Sequence, residues 1–98
     1  MNFGRCAHAA CILDDKLYVF AGRDKWDCGM KYVESMEVLD LKDPREWTVL
    51  QEGNLQLARR SALVTPINSH QILMMGGMVQ EMDSSDCFVY DTVKGTMI

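Results

Sequence analysis

Apolar residues along the chain come in short runs separated by polar turn residues, a spacing that predicts strands rather than helices. Cys11-Ile12-Leu13 and Leu17-Tyr18-Val19-Phe20 flank Asp14-Asp15-Lys16, residues that accept a tight turn. Ala62-Leu63-Val64 and Ile72-Leu73-Met74-Met75 flank Asn68-Ser69-His70-Gln71 in the same way. The second run of each pair is continuously apolar, which predicts a strand buried on both faces. Met36 to Leu41 and Cys87 to Tyr90 predict a third strand in each unit, and Glu46 to Leu50 a fourth in the first. Val33, Met36, Glu37 and Leu39 would also share one helix face. The matching Cys87–Tyr90 stretch, bounded by turn formers and too short for a helix, decides for a strand.

The two halves repeat. Arg5, the run ending in Ala21-Gly22, and Leu39-Asp40 recur as Arg60, the run ending in Gly76-Gly77, and Tyr90-Asp91. The arginines and the glycines are each 55 residues apart, the aspartates 51. The four missing residues fall between glycine and aspartate, where a connecting loop can shorten. A four-stranded unit of about 50 residues has the size of a propeller blade. Glycine at the end of the second strand lets backbone approach backbone where a Cβ would obstruct it.

Length and charge narrow the function classes. The chain of 98 residues is one small domain at most, and little scaffold is left around a catalytic pocket. Its net charge of −4 argues against nucleic-acid binding. No apolar run approaches the roughly 18 residues of a membrane helix, and the N-terminal residues have no signal-like apolar core. Cys6, Cys11, Cys28 and Cys87 form no Cys-x-x-Cys pair. Free thiols in a reducing compartment are therefore expected, and a cytoplasmic location with them. His8, expected as a structural histidine in a strand, and His70, in a turn, lack neighbours at metal-ligand spacing. No metal and no cofactor are expected.

The ordered set of Arg, apolar run, glycines, aromatic-Asp and Trp resembles the kelch repeat. The resemblance covers about residues 3–50 and 58–98, and it rests on Arg5, Gly22, Asp40 and Trp47 in the first unit and Arg60, Gly76, Gly77, Tyr90 and Asp91 in the second. Ala21 and Leu39 depart from the pattern, standing where Gly and Tyr are usual. The resemblance implies an all-β fold of kelch-type propeller blades, an incomplete propeller of about two four-stranded antiparallel blades. Residues 3–57 form the first and residues 58–98 the second. A second tryptophan would be due near position 98, so the second blade is expected to lack its outer strand. The chain is then expected to be a fragment of a longer protein, a truncated gene model or an assembly-dependent subunit, with further kelch blades from a longer chain or self-association completing the ring.

In an up-and-down blade the loops alternate between two ends. The long segments Arg23–Tyr32, Gln51–Arg59 and Met78–Asp86 are expected at one end, where partner binding is usual. The first mixes charges with a tryptophan, residue types enriched at interfaces, so Arg23, Lys25, Trp26 and Arg59 are the candidate partner-binding residues. The acidic stretch Gln80–Asp86 lacks the ligand alternation of a calcium loop. The resemblance implies a protein-interaction module, with ubiquitin-ligase substrate adaptors as one setting in which a BTB or F-box domain lies elsewhere in the chain. The alternative is a fragment of a galactose-oxidase-like propeller enzyme. Its copper would need converging His and Tyr ligands, and the histidines lie outside the long loops, so binding is expected rather than catalysis.

Overall fold

The computed structural model describes residues 5–23, 32–79 and 82–98. They form two four-stranded antiparallel sheets and a small hairpin. The first sheet runs in chain order, with β1 (Ala9–Leu13), β2 (Lys16–Phe20), β3 (Ser35–Asp40) and β4 (Trp47–Glu52) side by side. A single 3-10 turn at Leu55–Leu57 follows. The second sheet comprises β5 (Leu63–Asn68), β6 (Gln71–Met75), β9 (Cys87–Asp91) and β10 (Thr96–Met97), adjacent in that order. Between β6 and β9, β7 (Met78–Val79) and β8 (Met82–Asp83) pair within the segment expected to be a loop.

The turns follow from local chemistry. Asp14 and Asp15 both have positive φ, +53° and +57°, the backbone of a two-residue turn whose twist matches that of the flanking strands. Asp tolerates this region because its short polar side chain bonds locally. After β3 and β9, the aspartates cap the turns. Asp40 Oδ1 accepts from Lys42 N–H at 2.9 Å, and Asp91 Oδ1 accepts from Val93 and Lys94 N–H at 2.9 and 3.0 Å.

The sheets pack face to face around Phe20, Met36, Leu57, Ile72 and Met74, all fully buried. Phe20 meets Tyr90 edge-on, with ring centroids 6.4 Å apart and planes at 76°. Burying one such side chain contributes roughly 1.5–3 kcal/mol. The packing is head to tail. Register places Ala9, Phe20 and Met36 in one row of the first sheet and Ile72 and Tyr90 in one row of the second. By the repeat, Ile72 corresponds to Leu17, on the opposite face of the first sheet. Each sheet therefore has a distinct front and back, as in a propeller.

Two expectations need correction. Burial on both faces holds for β2, where Tyr18, Val19 and Phe20 are all buried. In β6 only Ile72 and Met74 are buried, because the face carrying Leu73 and Met75 has no second sheet over it among the described residues. The outer strand of the second blade is not missing: Thr96 and Met97 pair with Asp91 and Tyr90. The chain turns back after Asp91 through Gly95, whose φ is +70°, and a two-residue strand forms before the chain ends.

Candidate functional site

The side chains with the most internal bonds are the repeat arginines. Arg5 is buried and donates to Ala21 O and Ser35 O, both at 3.0 Å, and to Ser35 Oγ at 2.8 Å. Its remaining partner is Glu37 Oε2 at 2.8 Å, with both side chains fully removed from solvent. Arg59 does the same in the second blade. It donates to Gly76 O at 2.8 Å and Ser84 Oγ at 3.4 Å, and its guanidinium lies 4.9 Å from the Phe88 ring centroid. Asp86 stands 3.8 Å away and is largely exposed, so that pair is weak.

This equivalence moves the repeat by one residue. Cys6 and Arg23 bond reciprocally through their backbones, and so do Arg60 and Met78. Ala7 and Ser61 both have positive φ. Arg5 therefore corresponds to Arg59, and Cys6 to Arg60. The expected pairing of Arg5 with Arg60 is corrected, and Arg59, expected to face a partner, is an internal tie instead. The extra residue is taken up at the register shift between Pro66 and Asn68 in β5, where a bulge inserts one residue into a strand. Opposite the arginines, Glu37 of the first blade is matched by Phe88 of the second. An ion pair in one blade is replaced by a cation–π contact in the other.

The glycines hold the same crossing. Gly22 and Gly77 have φ of +99° and +88°. A Cβ on Gly22 would sit 2.8 Å from Cys6 O, and one on Gly77 2.7 Å from Arg60 O. Each glycine thus lets the strand entering the blade pass directly over the end of the blade's second strand.

The long connections lie at one end of the sheets, after β2, β4 and β6, and the short turns at the other. Arg23 is half-buried at the root of the first connection, bridged by backbone to Cys6 and Tyr32. Lys25 and Trp26 lie outside the described residues. Trp47 is half-buried in β4 opposite Leu39. His8 precedes β1 and is exposed rather than a strand histidine. Partial desolvation, reinforced by the positive charge of Arg5, holds the pKa of its imidazole below the ordinary histidine value. Cys6, Cys11 and Cys87 are free thiols, and burial raises Cys11 to about 11. Among the described residues no three His, Cys, Asp or Glu side chains are grouped to hold a metal. No described helix is long and apolar enough to cross a membrane.

The family model of the Kelch motif matches residues 4–53. The chain belongs to the kelch-repeat family. The match spans the first blade, and the second kelch blade repeats its strand order, buried arginine, glycine crossing and turn aspartate. No curated protein matches the chain. Sequence reasoning overlooked Glu37, Ser84 and Phe88 as partners of the repeat arginines. The only signal was a charged residue, Glu37, inside an apolar strand.

Proposed function

We propose that this kelch chain is a protein-interaction module that holds a partner polypeptide at the end carrying the long connections. The observation supporting this reading is the pair of kelch blades with every long connection at one end, a rigid scaffold under variable loops. Arg23 at the root of the first connection, with Lys25 and Trp26 beyond it, would supply the contacts. Arg59 is left out, because its guanidinium is held internally. A role as the substrate-recognition part of a ubiquitin-ligase adaptor is the finer form of the proposal and rests on the family alone.

The test is retention of partners on immobilised chain, with the bound proteins identified by mass spectrometry. Trp26→Ala should abolish retention of a specific partner and leave the thermal midpoint nearly unchanged. Retention that survives both Trp26→Ala and Arg23→Ala would refute this placement. The adaptor role requires in addition that ubiquitin conjugation of the retained partner depend on this chain. Stoichiometric copper in purified protein would favour the enzyme reading instead.

A further inference from the structure

The contact between the two blades joins the front of one sheet to the back of the other. On the front of the first blade, Ala9, Tyr18, Phe20 and Met36 are buried. They share one core with Val64, Ile72, Met74 and Tyr90 on the back of the second. Two faces remain, the front of the second blade and the back of the first. Neither has a sheet over it among the described residues.

Those two faces repeat the two that pack. Register places Leu63, Met75 and Cys87 in one row of the second blade, where the first blade has Ala9, Phe20 and Met36. The first-blade trio is buried. Its counterparts are not: Leu63 is 62% exposed, Cys87 is exposed and Met75 half-buried. The next row, Thr65, Leu73 and Val89, is extended by Ile98, which bonds to Val89 through the backbone and is 85% exposed. The backs show the same contrast. Val64, Ile72 and Tyr90 are buried in the second blade, while their counterparts in the first, Ala10, Leu17 and Leu39, are exposed or half-buried.

The chemistry of the free front selects its occupant. Neither row carries a charged side chain, so an ionic or strongly polar ligand finds no partner there. An extended peptide laid across these rows would bury backbone N–H and C=O groups without partners. A sheet does not, because its strands already bond to one another, and only apolar side chains meet at the contact. The back of the first blade is such a surface. Its Ala10, Leu17 and Leu39 are apolar, and Glu37, on the same back, is already paired with Arg5. The fit between a front and a back of this kind is the one seen inside the molecule.

We infer that copies of this chain assemble head to tail, the front of the second blade of one copy resting on the back of the first blade of the next. Such a contact uses different patches on the two partners, so an open string always leaves one front and one back uncovered, and closure into a ring covers them all. Propellers have roughly four to eight blades, which corresponds to about two to four copies of a two-blade chain. The assembly goes beyond the loop-end reading and does not depend on it, because faces rather than connections make the contact.

The test is the mass of the full chain in solution, measured by sedimentation equilibrium and native mass spectrometry from micromolar to millimolar concentration. A single closed species of two, three or four chains should form as concentration rises. Leu63→Glu on the front and Ala10→Glu on the back each place a charge at an exposed position, so the fold should survive, as circular dichroism would show. Each should weaken assembly by at least about tenfold, because the charge is buried only at the contact. Mixed together, the two variants should pair one to one, since each retains the face that the other lacks. Alkylation of Cys87, rapid in dilute chain, should slow several-fold on assembly and stay rapid in Leu63→Glu. A chain that remains monomeric at millimolar concentration, growth without limit, or variants that fail to pair would overturn the inference. So would full association of Ala10→Glu alone, which would mean a front-to-front contact. A monomer that still retains a partner at the loop end removes this assembly alone. A ring that retains no partner removes only the loop-end reading.

Discussion

Replacing Gly77 by alanine tests the crossing that both blades share. Two costs arise. The residue has φ +88°, a region that disfavours any L side chain by roughly 1–2 kcal/mol. The new Cβ would also stand 2.7 Å from Arg60 O and 3.0 Å from Ala62 N. These are backbone atoms that cannot rotate away, and Arg60 O accepts the 2.8 Å bond from Met78 N–H. Relieving the contact shifts the strand entering the blade, at a cost typical of overpacking, about 1–3 kcal/mol. Together the substitution should destabilise by about 2–5 kcal/mol, a large part of the roughly 5–15 kcal/mol that holds an ordinary domain folded. Gly95 is the control. Its φ is +70° and a Cβ there would meet nothing within 4 Å, so Gly95→Ala should carry the conformational cost alone. Urea unfolding followed by circular dichroism measures both. With a slope of about 1–3 kcal/mol per molar urea, the excess of about 1–3 kcal/mol should move the Gly77→Ala midpoint roughly 0.3–3 M below that of Gly95→Ala. Equal midpoints for the two variants would refute the claim that close backbone approach, rather than φ, demands glycine at the crossing.

Three further outcomes are expected. Glu37→Gln leaves the Arg5 guanidinium buried without its counter-charge and should cost about 3 kcal/mol in the same urea assay; a change below 1 kcal/mol would show that the pair is not buried in solution. The Lys94 N–H above all, then that of Val93, holds the Asp91 carboxyl below the usual carboxylate range, against the opposing effect of burial. A lowered native value makes its contribution present above the unfolded value of about 3.9 and lost as pH falls through the native one. Stability of the unmodified chain should therefore drop more steeply below about pH 4 than that of Asp91→Asn, and parallel pH profiles would count against the turn-capping role. Cys11, raised to about 11 by burial, should react with iodoacetamide at pH 8 far more slowly than the exposed Cys87; peptide mapping that finds equal rates would contradict the packing of β1.

The strands and their order were legible because both signals are local. An apolar run bounded by turn formers reports a strand wherever it stands, and the aspartates after β3 and β9 cap turns through their own next residues. Repetition added the blade, since the order of Arg, Gly and Asp survives a change in loop length. The site was much less legible. Arg59 and Arg60 are adjacent and chemically identical, and only the bulge in β5 decides which of them points inward. A bulge adds one unpaired residue without changing composition or pattern, so the constant spacing of 55 residues pointed to the wrong arginine.

What the sequence by itself determined is the seven longer strands, the two kelch units and the glycine that ends the second strand of each, while the β7–β8 hairpin and β10 escaped it. Only the tertiary structure decided which arginine is buried, that Glu37 and Phe88 occupy one role in two chemistries, and that the front of the first sheet rests on the back of the second. Those outcomes depend on groups that are far apart in the chain and meet only when strands pair and sheets stack. There the removal of water makes each unpaired polar group costly and each partner specific.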